Sequence, residues 1–447
     1  MKEETEQLDV SSVSRQYTYG TWRHQRGWLP LPILDAEGCY FTDITGRSYL
    51  DFSSQLMCSN LGHKNKAIVD AICDQAKKLT YVAPGFTTEP RAQISKDLLG
   101  IMPKGLEKFF FATSGTEANE AAFKIARQYT GKYKIISRYA SYHGSTAGSI
   151  SATGDPRRYP IEPAGKMEGV IFGPDAYCYR CPFELTYPEC GVQCADYVDY
   201  MFRHESNIAA VIVEPVVGTN GVIVPPDDYL PRLKEITEKY NALLICDEVM
   251  SGWGRVGEWF AVDHWKVVPD ILTTAKGITG AHIPLSVTAT TSKIAEYFED
   301  HYFAHGHTYE AHPLTLAAGV AAIGEYKRLN IIQRARELGE YLETTLSSLK
   351  KRHDSVGDIR GMGMFWGIEL VADKASKLPF NTREDKLAGK QLIVDRVASE
   401  CMKNNVYVSS WINCLIIAPP LIISKEEIDR GADAIDRSLS LADKEVR

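Results

Sequence analysis

Between about residues 107 and 290 the chain alternates short apolar runs with stretches of helical periodicity. The runs are Lys108 to Thr113, Tyr133 to Ser137, Ala209 to Val213, Leu243 to Val249, Ile271 to Thr274 and Leu285 to Thr291. Each is shorter than an ordinary helix, and their alternation with helical segments is the signature of a mostly parallel sheet covered by helices. One of those helices carries Leu230, Leu233, Ile236 and Tyr240 on a single face. Beyond about residue 330 the pattern changes. Ile331, Ala335, Leu338, Leu342, Leu346 and Leu349 predict a long amphipathic helix that leaves the sheet. A last helix is announced by the capping-box spacing of Ser424 and Glu427 and continues through Ile428, Ala432, Ile435 and Leu439. The polar stretch Lys374 to Arg383 reads as a surface loop.

A chain of 447 residues exceeds one compact core, so two or three domains are expected. The formal charge of −7 argues against a nucleic-acid or anionic-membrane partner, and any bound anion must meet local positive groups. The start, Met1 to Ser12, is polar and acidic and lacks the profile of an export signal. The apolar run Cys414 to Ile423 is broken by Pro419 and Pro420 and falls short of the ~20 residues of a membrane-spanning helix. Ten cysteines in such a chain read as reduced thiols in a cytoplasmic protein.

Three stretches carry chemistry. Phe109 to Ala118 runs from a strand into a helix through Ser114-Gly115-Thr116-Glu117. The Ser114 and Glu117 spacing is a capping box, so Gly115 and Thr116 present free N–H groups where a phosphate is well satisfied; taken alone, an ordinary capped helix explains it too. Leu243 to Val249 is an apolar strand ending in Asp247 and Glu248. Open α/β sheets place ligands at strand carboxyl ends, and a carboxylate there can pair with a protonated pyridine nitrogen. Asp270 to Gly277 closes an apolar strand on Lys276, which becomes a nucleophile toward an aldehyde if desolvation removes its proton. Gly252-Trp253-Gly254-Arg255-Val256-Gly257 has the spacing of a dinucleotide fingerprint. It lacks both the helix after the third glycine and the acid about 20 residues beyond, so a nicotinamide or flavin site is not expected.

Together with Tyr142-His143-Gly144, Glu214-Pro215-Val216, Thr308-Tyr309, His312-Pro313 and Ala418-Pro419-Pro420-Leu421, these stretches resemble the class III aminotransferases of the fold-type I pyridoxal phosphate family. The resemblance runs over nearly the whole chain. It implies an α/β fold with a large domain, residues 61–330, and a smaller α+β domain built from segments 1–60 and 331–447. It implies pyridoxal 5′-phosphate as cofactor, held as a Schiff base by Lys276, with Asp247 on the pyridine nitrogen and Tyr142 and Val249 on either face of the ring. Ser114, Gly115 and Thr116 would surround the phosphate, His143 would lie at the cofactor, and Glu214 would lie at the cofactor near the substrate. Thr308 would reach the phosphate of a neighbouring subunit, which makes the active unit a homodimer or a tetramer. The reaction implied is transfer of an amino group from an amine to an oxo acid, with Lys276 moving the proton.

Two departures from the family pattern bear on substrate. Met250 stands where ornithine- and 4-aminobutyrate-type members carry Gln, which looks like the branch acting on terminal amines. Ten positions before Pro419, where many amine and β-alanine enzymes place a mobile Arg, stands Ser409. Another cation must then hold the acidic ends of the substrates; the candidates are Arg157, Arg158 and the cluster Trp22-Arg23-His24. Thr21-Trp22-Arg23 and Tyr179-Arg180-Cys181-Pro182-Phe183 look like the taurine transaminases of this class. A sulfonate can be oriented by one guanidinium and an indole N–H, so Trp22 and Arg157 are the expected substrate-binding residues. The donor expected is taurine, giving sulfoacetaldehyde, with 2-oxoglutarate or pyruvate as acceptor. A β-alanine or other omega-amine:pyruvate enzyme is the alternative, and an aminomutase, a decarboxylase or a cofactor-binding protein without turnover are rivals. Cys178, Cys181, Cys190 and Cys194 have spacing that zinc or an iron–sulfur cluster could use, or they are plain thiols of an insertion; no metal is expected at the reactive centre.

Overall fold

The computed structural model describes residues 9–447; the first eight residues of the acidic start lie outside the described residues. After the helix Val10–Tyr17, β1 (Ile33–Glu37), β2 (Tyr40–Asp43) and β3 (Ser48–Asp51) form an antiparallel meander. The large sheet follows: β4 (Leu106–Ala112), β5 (Lys134–Arg138), β6 (Val170–Gly173), β7 (Ile208–Val213), β8 (Leu243–Asp247), β9 (Ile271–Thr274) and β10 (Ser286–Thr291). Their spatial order is β4-β10-β9-β8-β7-β5-β6, and only β10 runs antiparallel to its neighbours. All six residues of β7 and all five of β8 are buried. Burial on both faces is why these segments read as continuous apolar runs rather than as alternating ones.

The sequence missed β6, a four-residue, mostly half-buried edge strand. The fingerprint-like Gly252 to Gly257 forms turns and opens no helix. The amphipathic pattern after residue 330 forms the helix Ile331–Ser347, with Ile331, Ala335, Leu338, Leu342 and Leu346 all buried. It is followed by β11 (Val356–Met362), β12 (Phe365–Asp373), β13 (Leu378–Pro379), β14 (Val406–Tyr407), β15 (Ser409–Trp411) and β16 (Cys414–Ile417). The stretch Lys374 to Arg383 is not purely loop, because β13 lies inside it and pairs with β12. The closing helix Lys425–Asp443 starts at the reciprocal capping box of Ser424 and Glu427. β14 pairs in parallel with β3, which stitches the C-terminal part of the chain to its N-terminal meander. Among the described residues, no helix is long and apolar enough to cross a membrane.

Candidate active site

β4, β5, β7, β8 and β9 all point the same way, so their carboxyl ends line one edge of the sheet, and the turns after them build a cleft. After β4, Ser114 caps the helix Gly115–Thr130 with a complete capping box. The N–H groups of Gly115 and Thr116 sit in the first turn, where no carbonyl four residues back exists to receive them. A side chain at Gly115 would meet both methyl groups of Val249 at 2.9 Å, so the glycine lets the helix end close on the turn after β8. The Thr116 hydroxyl meanwhile accepts from the N–H groups of Ser145 and Thr146, tying this helix to the loop after β5.

Asp247, the last residue of β8, is buried and saturated with donors on one oxygen. Its Oδ2 accepts from Asn119 Nδ2 at 2.7 Å and faces His143 Nδ1 at 2.8 Å, while Oδ1 takes only the N–H of Val249, at 3.0 Å. Oδ1 therefore keeps a lone pair for a further donor. Asn119 also donates to the His143 carbonyl and accepts from the hydroxyl of Thr273 on β9, so two strands, a helix and the loop after β5 fix one carboxylate. The other ring nitrogen of His143 is buried and has no partner among the described residues. Asn119 gave no signal in the sequence; it is one polar residue in a small-residue helix, and only the packing turns it toward Asp247.

Glu214, just beyond β7, spends its two oxygens on the N–H groups of Tyr142 (2.9 Å) and Gly218 (2.8 Å). Its place is behind Tyr142, holding that turn, and burial pushes its carboxyl above the usual range. Lys276, two residues past β9, has φ 50° and donates from Nζ to the carbonyl of Leu56 at 3.1 Å. Burial lowers its pKa, the charge of Arg157 works in the same direction, and Asp247 and Glu214 oppose both. The segment that offers the Leu56 carbonyl is itself strained: Ser54, Gln55 and Met57 all have φ between 46° and 58°. Non-glycine residues in that region each cost on the order of 1–3 kcal/mol, a cost that clusters at functional sites.

The substrate candidates separate cleanly. The Arg157 guanidinium lies 3.8 Å from the ring centre of Tyr142, 4.3 Å from that of Trp411 and 5.6 Å from that of Trp22. Its Nε and Nη2 are bound to the buried carboxylate of Asp155, which also accepts from Asn220 at 3.3 Å. Trp22 is 43% exposed and meets Tyr142 edge-on at 6.3 Å. Arg158 pairs instead with Glu162 at 2.7 Å and covers Phe172; Arg23 bonds the Thr21 carbonyl and His24 faces the Leu387 carbonyl, so none of the three joins this cluster. Ser409 uses its N–H on the Ser53 hydroxyl. Thr308 is exposed on the segment before the helix Pro313–Arg328, its carbonyl accepting from Tyr81 at 3.0 Å. Trp411 and Asp155 were not singled out in the sequence.

Cys178, Cys181, Cys190 and Cys194 converge on one small cavity of about 20 Å³. Burial raises the pKa of Cys178 and Cys194, keeping both as thiols. Among the described residues, no group of three or more His, Cys, Asp and Glu is arranged to hold a metal ion, and all ten cysteines are unpaired.

The sequence profile described as aminotransferase class-III matches residues 22–439. The taurine–pyruvate aminotransferase of Bilophila wadsworthia is 32% identical over 455 residues, covering 98% of each chain. The leucine/methionine racemase of Thermococcus litoralis is 34% identical over 418 residues, covering 92% of this chain and 91% of its own. Among solved structures, the taurine:2-oxoglutarate aminotransferase from Bifidobacterium kashiwanohense, in complex with PLP and glutamate, superposes with a TM-score of 0.92 at 33% identity, covering 98% of each chain. The architecture is thus that of the fold-type I transferases.

Proposed function

We propose, from the premise that this chain belongs to the class III aminotransferases, that it moves the amino group of a short terminal amine bearing an acid group, taurine first, to 2-oxoglutarate or pyruvate. The products would be sulfoacetaldehyde with glutamate or alanine. The cofactor is pyridoxal 5′-phosphate, and the residues of the cleft fit it: a first-turn N–H pair for a phosphate, a free lone pair on Asp247 Oδ1 for a ring N–H, and an amine at Lys276 whose proton is easily lost.

When bound, that cofactor supplies an aldehyde that captures amines and a ring that accepts the electron pair released at the substrate carbon. Lys276 would hold it through Nζ and, once freed, would take the proton from the substrate carbon with that nitrogen. A lowered pKa suits that work, because an amine already protonated cannot accept a proton. Asp247 holds a proton on the pyridine nitrogen, and His143 and Asn119 keep its carboxylate in place. Tyr142 and Val249 would hold the ring between them; the Arg157 guanidinium packs on Tyr142. Glu214 acts through the Tyr142 backbone, each of its oxygens accepting one backbone N–H.

The observation that carries the choice of donor is Arg157: a guanidinium stacked between aromatic rings and tied to Asp155, in a chain with Ser409 where a mobile arginine would stand. Relatives whose names include taurine support it. The test is a donor panel of taurine, β-alanine and an acid-free alkylamine against both oxo acids, with leucine and no oxo acid as a further arm. Oxo-acid-dependent turnover of taurine is expected. β-Alanine turnover without taurine turnover would move the chain to the carboxylate branch, and racemisation of leucine without an acceptor would remove it from the transaminases.

The active unit proposed is a homodimer in the cytoplasm, with Thr308 completing the phosphate site of the second copy. Thr308 lies between Tyr302, 89% exposed, and Tyr309, 61% exposed, and both ring nitrogens of nearby His305 are buried without partners. Such a segment is better satisfied against another surface than in water. Sedimentation should find about twice the mass of one chain.

A further inference from the structure

Trp411 closes β15 in the C-terminal sheet, yet its ring packs on the same Arg157 guanidinium that Tyr142 contacts. The indole N–H of Trp411 is buried and has no partner among the described residues, so what this residue offers Arg157 is its face. The guanidinium is then fixed three ways: Tyr142 at 3.8 Å, Trp411 at 4.3 Å and the Asp155 carboxylate along the edge formed by Nε and Nη2. Nη1 makes no hydrogen bond among the described residues, and 9% of the side chain stays exposed. That leaves one donor edge open. A planar cation held between two rings cannot swing as an exposed arginine does.

A cation that swings can meet acid groups at several distances from the reacting amine; a clamped one can meet them at a single distance. We propose that Trp411 is a positioning residue that sets substrate length, clamping Arg157 against Tyr142 so that only donors with one short spacing between amine and acid group are well bound. This rests on Arg157 being the anchor for the substrate's acid group, and it goes further in assigning the selectivity to a ring from the other end of the chain. Ser409, two residues earlier on the same short strand, bonds Ser53 at 2.8 Å, so β15 is itself moored beside the turn that faces Lys276. The clamp is thereby held in register with the reacting amine.

The experiment is a length series on the holoenzyme: β-alanine, 4-aminobutyrate and 5-aminopentanoate, with taurine and an acid-free alkylamine alongside, for wild type, Trp411→Phe and Trp411→Leu. Wild type should favour the shortest acid by at least about tenfold in kcat/KM over the longest. Trp411→Leu should shrink that ratio by about tenfold, or ~1.4 kcal/mol, as loss of a cation–π contact allows, through KM and not kcat. Trp411→Phe, which keeps an aromatic face and drops the N–H, should stay within about threefold of the wild-type ratio. The alkylamine should change less than about twofold in every variant. A wild type without length preference, a Leu variant with the wild-type ratio, a Phe variant as damaged as Leu, or a parallel loss with the alkylamine would each overturn the clamp. If β-alanine is used and taurine is not, the taurine reading falls while the carboxylate series still reads Trp411; if no acid-bearing donor is used, both fall.

Discussion

Lys276, Asp247 and Glu214 leave the ends of three neighbouring strands, β9, β8 and β7, and their relative places follow from the pairing of those strands. Trp22, Arg157 and Trp411 come from the N-terminal segment, a turn beyond β5 and the C-terminal sheet, and meet only because separate parts of the chain pack together. The first group is held by short hydrogen bonds inside a buried sheet. The second is held by stacked rings at a half-open cleft. Chemistry that must not vary sits on the rigid element, while recognition is assembled from pieces that can be exchanged without disturbing the sheet.

The sharpest way to break this division is Lys276→Ala, which should lower turnover by more than about 10⁴-fold with every donor while cofactor still binds noncovalently. Absorbance of the bound cofactor together with single-turnover assays checks both halves. Asp247→Asn should cost about 10²–10³-fold in kcat, again whatever the donor, because charge stabilisation at the ring is common to all of them. Rates for taurine and an alkylamine measured side by side should fall together, and a loss confined to taurine would place Asp247 on the recognition side. Arg157→Ala should do the reverse: an increase of roughly 10–100-fold in KM for acid-bearing donors, the worth of one or two charged hydrogen bonds, with the alkylamine little changed.

The smallest effect concerns the cost of the buried side. Glu248 follows Asp247 but faces away from it, its oxygens accepting from Val262 N–H and from the Ser251 hydroxyl. Burial raises its pKa to about 7. Because the folded value lies above the unfolded one, Glu248 is harmless below about pH 4.5 and costs stability as pH rises through about 7. Glu248→Gln should therefore gain on wild type between pH 5 and pH 8, by roughly 1–3 kcal/mol, in denaturant titrations at the two pH values. A constant difference across that range would show that the carboxyl is not titrating.

Much of the first region was legible because its signals are local. A buried strand is a run of apolar residues, a helix start is a Ser and a Glu three apart, and a strand end is where a lysine or an aspartate follows such a run, as at Ser114, Asp247 and Lys276. Gly252 to Gly257 could likewise be set aside, since no helix or distant acid accompanied it. β13 escaped because two residues carry no periodicity, and β6, though as long as β9, because it is a mostly half-buried edge strand. Among the arginines, the sequence put forward both Arg157 and Arg158 and favoured Arg157. Asp155 and two rings claim one of them, and Glu162 claims the other.

By itself, then, the sequence determined the sheet, the capped helix that opens the cleft and the strand-end residues, since each is written in neighbours a few positions apart. Only the tertiary structure decided that Asn119 turns to Asp247, that Glu214 serves the Tyr142 backbone, and that Trp411 lies on Arg157. Those contacts join residues far apart in the chain, and side-chain recognition over such separations is settled by packing, which no local pattern encodes.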